Sequence, residues 1–126
     1  MSDNRIPVIR RVSGWENASA FARSLTKKYY VYMLVLPTGK PIYVGKGNEK
    51  RAFFHTREVL SGCSCSKCAI LRRFISEDTR PDIHIVLETD SEEEALKAEY
   101  QLIAYIGYHN LANQLPGGRE KRGYWT

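Results

Sequence analysis

Two tyrosines, an arginine, a histidine and a carboxylate are spaced so that one folded chain could bring them together. Tyr32 and Tyr43 are separated by ten residues, with Pro37-Thr38-Gly39-Lys40 between them. Arg51 and His55 follow, four apart, the spacing that puts two side chains on one face of a helix. Glu99 falls on the apolar stripe of a later helical stretch, four residues after Ala95 and three before Leu102. A carboxylate turned toward a core is costly unless it is paired or holds a cation. Phosphodiester hydrolysis asks for such a set: an activated water, positive charge beside the phosphate and help for the leaving oxygen. One carboxylate suffices for Mg2+, which keeps most of its waters, so Glu99 is either the ligand of Mg2+ or Mn2+ or a rim residue that reaches solvent or pairs with an arginine.

The elements that must position these groups can be read from periodicity and turn chemistry. Residues 29–36 form an apolar run too short for a core helix and read as a strand, and residues 41–45 read as its return partner. Symmetric closure at the Pro-Thr-Gly-Lys turn sets Leu36 opposite Pro41, Leu34 opposite Tyr43 and Tyr32 opposite Gly45. The two phenols then lie diagonally on one face, beside a glycine that leaves them space. A slip of one residue would send them to opposite faces. Asn48 is the candidate cap of a helix reaching Leu60, with Lys46 and Lys50 at its start.

Elsewhere, residues 1–12, with Arg5, Arg10 and Arg11, read as a flexible or loosely docked arm that could follow a phosphate backbone. Ser13 to Leu25 reads as an amphipathic helix with Trp15, Ala18, Ala22 and Leu25 on its stripe. Ala69 to Glu77 reads as a short helix and residues 82–88 as a third strand containing His84, taken as an ordinary strand residue. Ser91 and Glu94 stand at capping-box spacing before a helix to about Ile106. The acidic run Glu92-Glu93-Glu94 is therefore a helix first turn and not a metal cluster.

Tyr30-Val31-Tyr32, ten residues and Tyr43-Val44-Gly45 resemble the signature of the GIY-YIG nucleases, with Tyr30 standing where the first glycine of that signature falls. Arg51, His55, Glu99, Asn113 and the closing LANQLPGG extend the resemblance over about residues 28–118, and the run YYVYMLV…KPIYVGKG…R is most similar to the LEM-3-like branch. The resemblance implies an α+β fold, a small, mostly antiparallel three-stranded sheet flanked by helices. It also implies a DNA endonuclease with a tyrosine-assisted, single-metal mechanism. Tyr32 would take a proton from the attacking water, its pKa lowered by Lys46, Arg51 or the metal. Tyr43 would position phosphate or water, Arg51 would bind the scissile phosphate, Lys46 and His55 would assist with protons and phosphate, and Asn113 would brace the site.

The chain of 126 residues is expected to form one domain: a core at 28–118, a helical extension at 13–26 and a basic tail at 119–126 carrying Arg119, Lys121 and Arg122. Net charge is +5, and it is uneven: residues 1–60 hold 11 Lys/Arg against 4 Asp/Glu, residues 61–126 hold 8 against 10. The basic half carries the tyrosine hairpin, which suits a nucleic-acid partner. Expected DNA contacts are Lys46, Lys50, Arg51, Asn113 and the tail cations, and the side chains do not separate DNA from RNA or a monomer from a homodimer. Cys63, Cys65 and Cys68 offer three thiols to a structural Zn2+, with His55, His84 or His109 as a fourth ligand, or are free thiols of a reducing cytosol, or form an adventitious disulfide on oxidation. No apolar run is long enough for a bilayer, and an intracellular, cytoplasmic protein is expected. Two rival readings share these residues: a nucleic-acid-binding module that does not cut, and an interaction protein stapled by zinc.

Overall fold

The computed structural model describes residues 6–113. Its elements are β1 (Arg10–Val12), α1 (Ala18–Arg23), β2 (Tyr29–Val35), β3 (Pro41–Gly47), α2 (Arg51–Leu60), α3 (Ser66–Leu71), β4 (Asp82–Thr89) and α4 (Glu92–Ile106), followed by a 3-10 turn at Tyr108–Asn110. The strands make one antiparallel sheet of four in the order β1-β4-β2-β3. The α+β class is as expected, but among the described residues the sheet has four strands and not three. The extra strand comes from the stretch expected to be a loose arm. β2 satisfies only one edge of β4, and Arg10–Val12 pairs along the other, opposite Ile85, His84 and Ile83. Arg10 holds it there, lying 5.3 Å over the Phe21 ring and donating to Ser24 Oγ at 2.9 Å.

β2 is the central strand, which explains why its sequence runs apolar without alternation: both faces are covered. Tyr30, Tyr32 and Leu34 enter one core with Phe21 of α1, Ala52 and Val59 of α2, and Cys68 and Leu71 of α3. Val31, Met33 and Val35 enter a second core with Val44 and with Ala95 and Ile103 of α4. The hairpin register sets Tyr32 opposite Gly45 and Leu34 opposite Tyr43, as symmetric closure predicts. Near the turn it departs, with Val35 opposite Pro41. Gly39, at a φ of 94°, donates its N–H to the Leu36 carbonyl, and the odd residue is absorbed as an irregularity between Leu34 and Val35.

Helix starts are where local chemistry overrides the expected boundaries. α1 begins at Ala18, because Asn17 caps it by accepting from Ala20 N–H, while the Ser13 hydroxyl takes Trp15 N–H in a separate turn. Trp15 is therefore off the packed stripe, exposed and covered by the Arg80 guanidinium 4.4 Å from its ring. α3 starts three residues before the expected position, capped by the Cys65 sulfur, which accepts from Cys68 N–H at 3.5 Å. Ser91 caps α4 through Glu94 N–H, but the Glu94 carboxylate accepts from Thr89 Oγ1 and not from Ser91 N–H, which Thr89 Oγ1 takes instead. Among the described residues no helix is long and apolar enough to cross a membrane.

α2 begins at Arg51, and neither Asn48 nor Lys50 caps it with a side chain. The cap comes from the strand. Tyr30 Oη accepts from Ala52 N–H at 3.0 Å and donates to the Glu49 carbonyl at 2.8 Å, tying the start of α2 to β2. Burial pushes the Tyr30 phenol up to about 12, so it stays a neutral donor and acceptor. Tyr30→Phe is expected to strand the buried Ala52 N–H and lower unfolding free energy by about 1–3 kcal/mol in urea titrations. A loss within error of zero would show that the helix start does not depend on the strand.

Candidate active site

The phenols expected to converge do so. Tyr32 and Tyr43 have ring centroids 6.3 Å apart, and His55 lies 4.4 Å from the Tyr43 ring. Gly45 makes the room: a Cβ there would stand 2.5 Å from Tyr32 Oη and 2.6 Å from Cζ. Because Tyr30 pins the first turn of α2 to β2, His55 one turn later is held over the tyrosine pair, hydrogen-bonded through Nε2 to Tyr32 Oη.

The other histidine nitrogen decides where the protons sit. Lys67, from α3, places Nζ 3.0 Å from His55 Nδ1 and 2.8 Å from Glu58 Oε1. An ammonium only donates, so Nδ1 must accept. The ring proton of the neutral imidazole is then on Nε2, which donates to Tyr32 Oη. His55 is fully buried, and burial, aided by Lys67 and Arg51, holds its pKa well below the usual 6.5. Tyr32 is raised well above 10, by burial first, then by Tyr43 and Tyr30, with Arg51 opposing and Glu99 adding. This corrects the expectation of a lowered tyrosine. Of the side chains that were to lower it, Arg51 acts and is outweighed by desolvation, so the group is a phenol.

A buried neutral histidine also leaves a mark on stability. Its folded pKa lies below its unfolded value, so its contribution is complete above about pH 6.5 and is lost as pH falls toward the folded pKa. The parent should lose up to about 1.4 kcal/mol per pH unit more than His55→Gln in that window, read from urea unfolding at several pH values. His84, lowered by burial and Arg11, pulls the same way in both proteins and cancels in the comparison. Parallel slopes would mean that His55 takes up its proton freely in the fold.

The remaining expected residues divide. Arg51, the first residue of α2, is near enough for its charge to act on Tyr30, Tyr32 and His55. Glu99 is 1% exposed on α4, between Ala95 and Ile103, and its charge acts on Tyr32. Asn113 braces the outer edge of β3: Oδ1 accepts from Val44 N–H at 2.9 Å and Nδ2 donates to Val44 O at 2.7 Å. With its amide so used and buried, Asn113 is a brace and not a nucleic-acid contact. Lys46 is also misplaced by the expectation. It pairs with Glu92 at 2.7 Å over the Tyr29 ring, its strand position alternating to the face of Val31 while Tyr32 faces the other way.

Lys50 lines a groove between α2 and the segment from Gly14 to Ala18, with Glu16, Phe53, Phe54, Arg57 and Arg80. Arg119, Lys121 and Arg122 lie outside the described residues. The Cys63, Cys65 and Cys68 sulfurs lie within 4.8 Å of one another, close enough to share a metal ion. The Cys65 thiol is lowered, chiefly by Cys68 N–H, while burial pushes Cys68 up to about 12. Sequence reasoning missed Lys67 and the capping role of Tyr30. Neither carries a local signal, since each acts on a partner brought near only by the fold.

Comparison with family models, curated proteins and solved structures finds no match to this chain.

Proposed function

We propose that this chain is a divalent-metal-dependent endonuclease that hydrolyses phosphodiester bonds in DNA, in the manner its resemblance to the GIY-YIG nucleases implies. The observation that carries the reading is the Tyr32–His55–Tyr43 cluster, with Arg51 acting on it and Gly45 opening space for it. The Arg51 fork binds a phosphate oxygen. Tyr32 Oη takes the proton of the attacking water, and the His55 Nε2–H hydrogen bond favours the anionic oxygen that this requires. Tyr43 bounds the place where water and phosphate meet.

Glu99 fits a divalent cation by the chemistry of its group: a carboxylate oxygen is the hard donor that Mg2+ takes, and its charge reaches Tyr32. When bound, Mg2+ or Mn2+ supplies positive charge beside the phosphate. Lys50, Arg57 and Arg80, three cations against the one carboxylate of Glu16, offer the groove beside α2 to the nucleic-acid backbone. The cysteines take a separate structural Zn2+: bonds of about 2.3 Å set sulfurs roughly 4 Å apart, within the spread observed.

Supercoiled plasmid incubated with the purified protein and Mg2+ or Mn2+ should pass to nicked and linear forms, and EDTA should stop it. Retention of plasmid without cleavage, across both ions, would replace the nuclease with a binding module.

A further inference from the structure

Lys67 belongs to the cysteine run, Cys63-Ser64-Cys65-Ser66-Lys67-Cys68, and yet its ammonium is at His55. Cys65 caps α3, Cys68 is buried in the core beside it, and Lys67 lies between these two sulfur-bearing residues in the first turn of that helix. Ala69 N–H donates to Cys65 O at 2.9 Å and Arg72 to Cys63 O at 2.7 Å, but the sulfur contacts at the helix start are weak: a sulfur acceptor at 3.5 Å and a Cys63–Cys65 sulfur pair at 3.3 Å. A metal ion bound by the three thiolates would replace these with coordination bonds and fix the turn that carries Lys67.

We propose that Lys67 is a positioning residue that locks His55 in its Nε2–H form, and that metal binding at Cys63, Cys65 and Cys68 sets that lock. The chemistry is directional. With the ammonium at Nδ1, His55 can only donate to Tyr32 Oη. Without it, the imidazole is free to carry its proton on Nδ1 and present a bare Nε2 to the phenol. Tyr32 Oη–H would then donate a hydrogen bond to Nε2 and lose the donor that favours its anion. Glu58, 2.8 Å from Lys67 and 4.0 Å from His55 Nδ1, holds the ammonium beside the ring. The thiol site is thus a second metal centre, distinct from the carboxylate site and acting through Lys67 on the proton-accepting tyrosine. This consequence for catalysis rests on the nuclease reading, whereas the lock itself does not.

The test is the pair of ring nitrogen shifts of His55 in long-range proton–nitrogen spectra of the zinc-loaded full chain. The parent should show an unprotonated Nδ1 and a protonated Nε2. Lys67→Met, which keeps the apolar stem, should move the two shifts toward each other or exchange them. Removing zinc with a selective chelator, or introducing Cys65→Ser, should shift them the same way with the amide spectrum still that of a folded protein. In cleavage assays Lys67→Met should lower kcat about 10-fold or more with KM little changed.

A Nδ1–H parent, or Lys67→Met with parental shifts, would overturn the lock. His55 shifts indifferent to zinc would overturn its metal control. Expected shifts in a protein that cuts no DNA would leave the lock standing and remove the nuclease reading. Full cleavage by Lys67→Met with exchanged shifts would remove the catalytic consequence.

Discussion

Tyr32→Phe is expected to lower DNA cleavage by at least about 100-fold, the usual contribution of a positioned proton acceptor. The change removes one oxygen and keeps the ring, so the packing against Tyr30, Tyr43 and Gly45 persists. It also leaves the His55 Nε2–H without its partner, which should cost about 1–3 kcal/mol. Unfolding must therefore be measured beside rate, and rates compared at temperatures where both proteins are folded. The pH profile separates this role from mere packing. A base must be deprotonated to act, and Tyr32 is raised above 10, so parental activity should climb with pH through the neutral range. Residual activity of Tyr32→Phe should lack that climb. A folded variant that cuts within about 3-fold of the parent, with the same profile, would remove Tyr32 from the chemistry.

The hairpin was legible because two independent constraints agreed on it. The apolar run bounded its strands, and symmetric closure at the Pro-Thr-Gly-Lys turn set Tyr32 opposite Gly45, the pairing that is found. Only the end nearest the turn escaped, because nothing in residue types announces that the register shifts after Leu34 and brings Val35 opposite Pro41. Glu99 was legible as a violation: the position on the stripe said core, the residue type said water, and the structure confirms the burial. Asn113 was legible as a brace through the resemblance alone, since nothing local points to Val44, 69 residues earlier.

What escaped depends on contacts between distant segments. β1 is made a strand by the unpaired edge of β4, a property of the sheet and not of Arg10–Val12. Lys46 was expected beside the tyrosines because it follows the second one closely, but strand alternation turns it to the α4 side of the sheet, where it pairs with Glu92. The protonation of Tyr32 was misjudged for a related reason. Charge can be counted in a sequence, whereas desolvation depends on how deeply the fold encloses the group, and here it is the larger effect.

Glu99→Gln carries the other large expectation, a loss of about 100- to 1,000-fold in cation-dependent cleavage. Glutamine matches the size of glutamate, so the fit between Ala95 and Ile103 is kept and the change is mainly one of charge. Activity alone would not distinguish a metal ligand from a structural carboxylate, but linkage does. A ligand that binds only the folded chain raises its stability by RT ln(1 + [L]/Kd), about 1.4 kcal/mol at ten times Kd. Added Mg2+ or Mn2+ should therefore raise the unfolding midpoint of the parent and leave that of Glu99→Gln where it was. The variant should also ease the pKa of Tyr32, since the Glu99 charge pushes that phenol upward. If the variant keeps the ion-dependent rise in stability, the cation sits elsewhere and Glu99 is a buried structural charge. If neither protein responds to the ion while the parent still cuts, the hydrolysis does not use a metal held by this helix.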